Sequence, residues 1–210
     1  MKYPCSGVIL SGGLNTRMGG KNKALLSTGG QTIMDRLYNT LRGSFDEVLL
    51  VTNNPLQYLS WDLTIVTDIF PIRSSLAGIH AGLFYASAPH AFITACDTPF
   101  LKTDLIRALL AELEPKQDVI MPVTGKGNEP LCAIYSKRCI KPIERQLKNK
   151  DTKIVNFFPK VRVKEIPERE LRSADPRLVS FFNINTPQDL AGSEKMLAEQ
   201  RLYLRQIPNT

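Results

Sequence analysis

The sequence predicts an α/β fold in which helices cover both faces of a mostly parallel β-sheet. Short apolar segments bounded by turn residues alternate with segments whose apolar residues recur at helical spacing, which is typical of a layered α/β domain. The second half of the chain is less regular and predicts a mixed sheet there. We expect a single domain over residues 1–210, because a chain of 210 residues suits one core and contains no linker, repeat or low-complexity segment.

The predicted strands of the first half are short, apolar and bounded by turn residues. The first of them runs directly into a glycine-rich loop. Amphipathic segments at helical spacing alternate with these strands, which is typical of parallel strands joined by crossover helices. The predicted strands cover residues 5–10, 47–52, 63–67, 91–95 and 118–122.

Three amphipathic segments of the first half are predicted as helices. Ile33, Leu37 and Leu41 fall on one helical face, and residues 76–86 form a helix of small residues that can pack closely on the sheet. A third helix is expected to have Thr103 as its N-cap, because a threonine hydroxyl can accept a free backbone N–H group. Its buried stripe would consist of Leu105, Leu109, Leu110 and Leu113.

The second half is predicted to add three strands and two helices. Residues 138–147 predict a helix, and a terminal helix is expected with Thr186 as N-cap and Pro187 at the first helical position. The segment KVRVKEI alternates in the manner of an edge strand with basic residues facing solvent. The three predicted strands are NEPLCAIYS (128–136), KVRVKEI (160–166) and LVSFFNIN (178–185).

The composition favours a cytoplasmic protein that binds a small anion. The net charge of +7 fits an anionic partner, but the basic residues are dispersed, so we expect no nucleic-acid binding and favour phosphorylated small molecules. No apolar run approaches the roughly 20 residues of a membrane span, and the start of the chain lacks the layout of a signal peptide. The four cysteines form no C-x-x-C pair and are expected to be buried free thiols.

The strongest local signal is the loop LSGGLNTRMGGKNKALL after the first strand. It fits neither the mononucleotide P-loop nor the G-x-G-x-x-G fingerprint, because Asn15 replaces the first P-loop glycine and no glycine lies between Gly13 and Gly19. Its glycines (12, 13, 19 and 20) still let backbone amides approach a phosphate. The loop cations could offset charge on a triphosphate as pyrophosphate leaves, although a glycine turn with solvated lysines is the alternative. These cations are Arg17, Lys21 and Lys23.

The segment ITACDTPFL places Asp97 just after a predicted buried strand. This position is the carboxyl edge of the sheet, where open α/β folds bind ligands. Magnesium takes one or two carboxylates together with waters and substrate phosphates, so a single aspartate is sufficient to hold it. The alternative is that Asp97 caps the turn before Pro99. His80 and His90 show no catalytic arrangement, and no zinc-ligand spacing is present.

Several motifs together resemble a known family. The string LSGGLNTRMGGKNK is similar to the signature of nucleotidyltransferases that activate sugars and cofactors, and CDTPF and NINTP resemble segments of molybdenum cofactor guanylyltransferases. With SLAGIHAGL from Ser75 and NEPLCAIY from Asn128, the resemblance spans nearly the whole chain. It implies a Rossmann-like three-layer nucleotidyltransferase fold and Mg²⁺-assisted transfer of GMP from GTP to molybdopterin, with release of pyrophosphate.

The resemblance also implies the site residues. Arg17, Lys23 and Asp97 would be catalytic, with Asp97 as the metal ligand. The family usually has alanine at the position of Ser11, and the extra hydroxyl is expected to leave activity intact. Asn183 and Asn185 would lie on the pterin side, although N-x-N-T-P alone means only a capped helix start. The implied nucleotide contacts are Leu10, Ser11, Gly12, Gly13, Lys23, Asn53, Asp68 and Asp97.

The implied partners are GTP and molybdopterin or the molybdenum cofactor, and cofactor-delivery and acceptor enzymes are further candidates. No nucleic acid or membrane partner is expected. Two alternatives stay open at this point. One is a related transferase that uses CTP or a sugar phosphate, since the glycine loop and metal aspartate serve any nucleotide. The other is a nucleotide-binding module without turnover, which would have little need of Asp97.

Overall fold

A computed structural model of the protein describes residues 4–12 and 22–206, with side chains up to residue 199. Part of the glycine loop therefore lies outside the described residues. The predicted roles that fall there are those of Gly13, Arg17, Gly19, Gly20 and Lys21.

The described chain is built on an eight-stranded sheet with the order β10-β7-β9-β6-β1-β4-β5, and β8 pairs with β7. Strands β5, β4, β1 and β6 are parallel neighbours, whereas β9 runs antiparallel to both β6 and β7. The predicted change from a parallel to a mixed sheet is confirmed. The strands are β1 Cys5–Ser11, β4 Val48–Thr52, β5 Thr64–Val66, β6 His90–Ala95, β7 Val119–Thr124, β8 Gly127–Asn128, β9 Cys132–Ser136 and β10 Val163–Pro167. A separate two-stranded sheet joins β2 Ser27–Thr28 and β3 Gln31–Thr32.

Helices cover both faces of the sheet, as the sequence predicts. One core contains the apolar faces of α1, α3 and α5, and the other contains those of α2 and α4. Neighbouring residues of a strand supply opposite cores, so in β1 Ile9 belongs to the first and Val8 and Leu10 to the second. The helices are α1 Ile33–Arg42, α2 Ser75–Tyr85, α3 Thr103–Ala111, α4 Ile140–Lys148, α5 Glu168–Ala174 and α6 Pro187–Gln206.

The last predicted strand, LVSFFNIN, is wrong. Its residues form a short 3-10 helix, Val179–Phe181, followed by irregular chain. The buried Asp175 carboxylate accepts the Ser180 N–H group at 2.8 Å, and Leu178 adopts the left-handed conformation with φ 51°, so the backbone turns instead of extending. Phe181 and Ile184 are buried, and they complete the first core from outside the sheet.

The predicted N-cap of α3 is also wrong. Thr103 is the first helical residue, and the cap residue is Lys102, which makes no side-chain cap bond. Tertiary contacts fix Lys102 there: its N–H donates to Ser180 Oγ at 3.1 Å and its amine pairs with buried Asp175 at 2.9 Å. The cap of α6 is as predicted, because Thr186 Oγ1 accepts the Asp189 N–H group at 3.2 Å.

Two further expectations concern the cysteines and membrane spans. All four cysteines are buried and free, as predicted. Within residues 4–12 and 22–206, no helix combines the length and the apolar character that crossing a membrane requires.

Helix α2 lies very close to β1 at Gly82. A Cβ atom at this position would lie 2.7 Å from Val8 Cγ1, and Val8 is fully buried. The glycine therefore sets the distance between the helix and the strand that carries Leu10 into the cavity described below.

We predict that Gly82→Ala destabilises the fold. The methyl group should cost about 2–3 kcal/mol, the upper part of the usual range for overpacking, because the contact is so close, and this exceeds the gain of about 1 kcal/mol in helix propensity. The matched control is Gly43→Ala at the end of α1, where φ is −73° and the nearest atom to a Cβ is 3.4 Å away. Urea unfolding should show a clear loss for the first variant only. Equal stability of the two variants would show that the contact between α2 and β1 is not tight.

Candidate active site

A cavity of about 510 Å³ lies at the carboxyl ends of β1, β4 and β6. Side chains that follow these parallel strands converge on it, as open α/β sheets place their ligands. The start of α2 closes a further side, with Ser74, Ser75 and Gly78 in the wall. The candidate residues that line the cavity are Leu10, Gly12, Lys23, Asn53, Asp68, Asp97 and Asn185.

Lys23, Asp97 and Asn185 meet in the wall of the cavity. The Lys23 amine donates to Asn185 Oδ1 at 2.6 Å and lies 3.4 Å from Asp97 Oδ2. The side chains of Lys23 and Asp97 are only 14% and 20% exposed. Weak access to water strengthens the attraction between the two charges. The three residues are far apart in sequence, so their meeting is a property of the fold.

Each of these side chains is held by local structure. Lys23 begins a short 3-10 helix, Lys23–Leu25, that Asn22 caps. Asp97 lies in the turn after β6, where Thr98 Oγ1 donates to the Ala95 carbonyl at 2.8 Å. Asn185 lies before α6, and its N–H group donates to Asp189 Oδ2 at 2.9 Å.

Asp97 and the chain before α6 are also joined directly, because the Ile184 N–H group donates to the Asp97 carbonyl oxygen at 2.9 Å. This bond fixes Asn185 beside the carboxylate. The segment predicted as a strand thus reaches the expected edge of the sheet without being part of it.

Burial raises the pKa of Asp97, and the charge and hydrogen bond of Lys23 oppose the rise. Because the pKa of the folded state lies above the ordinary value, the stability linked to this group is fully present below the unfolded pKa and is lost as the pH rises through the folded pKa. At neutral pH the buried carboxylate therefore works against folding. A bound cation would relieve this cost.

A second polar pair lines the wall that follows β4 and β5. Asn53 Nδ2 donates to Asp68 Oδ2 at 2.8 Å. Burial raises the pKa of Asp68, while the bond from Asn53 and the positive charge of Arg73 lower it. Arg73 itself lines the cavity, so it and Lys23 are the cations among the described lining residues.

Two candidate residues lie elsewhere. Ser11 is buried, does not line the cavity, and its hydroxyl is 2.5 Å from the hydroxyl of Tyr58. Asn183 is exposed and also lies outside the described lining. His80 is buried against Glu144 at 3.2 Å, and His90 begins β6, so both lie away from the cavity.

The sequence reasoning missed Arg73, Tyr58 and Asn22. Arg73 directly precedes the serine that caps α2, and a cation beside a helix start after Asp68 was the available signal. Tyr58 gave no signal, because its contacts join residues that are 47 and 36 positions away.

The donor set fits one hard divalent cation. Magnesium prefers oxygen ligands and usually keeps waters while it takes one or two carboxylates and substrate phosphates. Asp97 offers a carboxylate that faces the cavity and is held beside a single cation. No group of three or more acidic, histidine or cysteine side chains suited to a metal occurs in the described part of the chain, so an all-protein cage is not formed there.

The comparisons with known proteins agree with this geometry. The sequence model of the MobA-like NTP transferase domain matches residues 7–161, which includes Lys23 and Asp97. The chain belongs to the MobA-like NTP transferase family. The resemblance that the loop and CDTPF motifs carry is therefore confirmed.

Individual members of the family support the same assignment. A molybdenum cofactor guanylyltransferase of Desulfosudis oleivorans is 45% identical over 197 residues, which covers 94% of this chain and 98% of the relative. The crystal structure of molybdopterin-guanine dinucleotide biosynthesis protein A from Archaeoglobus fulgidus has a TM-score of 0.81 at 27% identity and covers 92% of this chain and 99% of that chain. These two proteins extend the likeness beyond residue 161.

A Mycobacterium tuberculosis protein described as a complex with manganese shares the fold of this family member, with a TM-score of 0.57. It is 16% identical, and the match covers 80% of this chain and 89% of that chain. At this identity the likeness concerns the fold alone.

We predict that Lys23→Ala raises the pKa of Asp97 further, because the variant loses the cation that opposes the effect of burial. Carboxyl ¹³C NMR titration in Mg²⁺-free buffer measures this pKa. Arg107→Ala is the control, since Arg107 pairs with Asp104 on the surface of α3 at 3.3 Å. An Asp97 pKa that is unchanged or lower in Lys23→Ala would contradict the electrostatic coupling.

Proposed function

We propose that this family member transfers GMP from GTP to molybdopterin, forming the guanine dinucleotide cofactor and releasing pyrophosphate. The observation that supports it best is the meeting of Lys23, Asp97 and Asn185 in a cavity at the carboxyl edge of the sheet. A cation and a cavity-facing carboxylate beside each other are what phosphate transfer requires. The 45% identical relative is named for this activity and matches almost its whole length.

The cavity suits a nucleotide in size and polarity. Ligand sites commonly span about 300–1,000 Å³ and combine apolar walls with a few polar groups. Here Leu10, Val51 and Gly78 give an apolar wall, and the Asn53–Asp68 pair gives polar groups. We place the guanine beside Leu10, Gly12 and Asn53, and the phosphates toward Lys23.

Asp97 would hold Mg²⁺ in this reaction. When bound, the ion would neutralise charge on the phosphate oxygens of the nucleotide. The carboxylate faces the cavity, and its pKa, raised by burial, gives a physical reason for a cation to be favoured there. Asp68, which is paired with Asn53, lines the same cavity and would also contact the nucleotide.

The chemistry asks little of the protein beyond position and charge. The acceptor's terminal phosphate attacks the α-phosphorus of GTP, the bond from that phosphorus to the bridging oxygen breaks, and pyrophosphate leaves. Because the nucleophile is already an anion, no general base is needed. Lys23 is placed to stabilise the added negative charge. Arg17 is assigned the same task by the family resemblance, and it lies outside the described residues.

Asn185 has a second role in this proposal. It accepts a hydrogen bond from Lys23 and therefore orients the amine, while the acceptor would bind on its side of the cavity. Asn183 stays a prediction from the family motif for the pterin side. Contacts with cofactor-delivery and acceptor enzymes also remain predictions.

The alternatives are less well supported. A transferase for CTP or a sugar phosphate could use the same carboxylate and lysine, but the relative that is 45% identical is named a guanylyltransferase. A binder without turnover does not need a buried carboxylate that costs stability at neutral pH.

The proposal is tested by pyrophosphate release with each of the four NTPs and molybdopterin in Mg²⁺. We expect turnover with GTP and much slower release with the other three, because a site that pairs with the guanine edge leaves polar groups unsatisfied around another base. Lys23→Ala should lower kcat/KM by about 10², as for loss of one preorganised charge donor.

The control is Lys164→Ala, a lysine paired with Glu112 and Glu114 at the sheet edge, which should keep the native rate. Faster release with CTP than with GTP would replace the guanylyl assignment by a cytidylyl one. If pyrophosphate release did not depend on molybdopterin, the proposal that molybdopterin is the acceptor would be refuted.

A further inference from the structure

We propose that Tyr58 is a positioning residue for Lys23, because its buried hydroxyl joins Asn22, the residue before Lys23, to Ser11 at the end of β1. This inference rests on the proposed role of Lys23 in turnover. Tyr58 lies outside the cavity lining and would act only through its neighbours.

The Tyr58 hydroxyl lies inside a cluster of hydrogen bonds. Tyr58 ends the 3-10 helix Pro55–Tyr58 and is 1% exposed. Its oxygen is 2.5 Å from Ser11 Oγ and accepts a hydrogen bond from Asn22 Nδ2 at 2.7 Å. One atom therefore connects two parts of the chain that flank the glycine loop.

Asn22 uses both ends of its amide. Its Oδ1 accepts the Ala24 N–H group at 3.1 Å and so caps the 3-10 helix in which Lys23 lies. Its Nδ2 donates to Gln57 Oε1 at 2.6 Å as well as to Tyr58. The amide plane is fixed from both sides, so the direction in which the Lys23 side chain leaves the backbone is fixed with it.

The Tyr58 hydroxyl carries one proton and contacts two partners, Asn22 and Ser11. Because Tyr58 accepts from Asn22, its single proton is free to go to Ser11 Oγ. Ser11 follows Leu10, whose carbonyl oxygen accepts the Cys96 N–H group at 3.0 Å. Cys96 precedes Asp97, so the chain of bonds joins the neighbours of both charged groups.

This connection bears on catalysis because Lys23 can act only if its amine is held at a defined distance from Asp97. The contact between the Lys23 amine and Asp97 is 3.4 Å long, whereas the bond from the amine to Asn185 Oδ1 is 2.6 Å long. The amine therefore lies closer to the Asn185 side-chain amide than to the carboxylate. A misplacement of about 1 Å in such a site can cost 10²-fold in rate. The cluster is the support that holds Lys23 from the backbone side.

The test is a double-mutant cycle on pyrophosphate release. Tyr58→Phe removes one hydroxyl and keeps the buried ring, and we expect about a tenfold loss of kcat/KM in the native background. In the Lys23→Ala background the same change should cost less than about twofold, because the group that it positions is gone. A purely structural role for Tyr58 predicts equal losses in both backgrounds.

Two further variants make the test specific. Asn22→Ser keeps a residue that can cap the 3-10 helix, but the serine side chain is too short to reach Tyr58. This variant should therefore show the same loss of kcat/KM as Tyr58→Phe. Tyr135→Phe is the matched control, because Tyr135 is equally buried and its hydroxyl donates to the Pro130 carbonyl at 2.7 Å. It should keep the native rate.

The proposed function can fail separately. If the native chain released no pyrophosphate with any of the four NTPs, the ¹⁵N NMR signal of the Lys23 amine would still report the position of this group. The signal is assigned by its absence in Lys23→Ala. Tyr58→Phe should shift that signal and Tyr135→Phe should not. The inference is overturned by an unshifted signal, by an unchanged rate in Tyr58→Phe, or by equal losses in the two backgrounds.

Discussion

The Lys23 amine lies between Asp97 and Asn185, and this ion pair with its added hydrogen bond is the constraint on which the rest of the site depends. It requires the turn after the glycine loop, the turn after β6 and the chain before α6 to meet at one point. The bond from the Ile184 N–H group to the Asp97 carbonyl closes that meeting. The cavity lies at the edge of the sheet, and these three connections carry the polar side chains Lys23, Asp97 and Asn185.

The same contacts explain how the fold keeps a carboxylate in a partly buried position. Burial works against the charged form of Asp97, and Lys23 offsets part of that cost. On the proposed function, the Lys23 amine would also contact a phosphate oxygen of the nucleotide. Its hydrogen bond to Asn185 Oδ1 holds the amine beside this position.

The sequence predicted what local patterns determine. Alternating apolar segments and helical stripes gave the α/β class and the change to a mixed sheet, and Asp97 was found because it directly follows a buried strand. LVSFFNIN was wrong because a buried Asp175 and a left-handed Leu178 turn a segment with strand-like composition. Thr103 was predicted as the N-cap of α3, but Lys102 occupies that position because Ser180 and Asp175 bind it there. Tyr58 and Arg73 were not predicted as site residues, because the contacts of Tyr58 and the cavity that Arg73 lines form only in the folded chain.

We propose that Asp97, beside Lys23, holds a divalent cation together with a nucleotide. Electron paramagnetic resonance of Mn²⁺ in the presence of a non-hydrolysable GTP analogue measures this directly, with native protein and Asp97→Asn compared at equal concentrations. The substitution keeps the size of the side chain and removes its charge. We expect tight Mn²⁺ binding by the native protein with the analogue, and binding weakened at least about tenfold in Asp97→Asn, since a carboxylate is the ligand that such an ion selects. Equal Mn²⁺ affinity in the two proteins would contradict it.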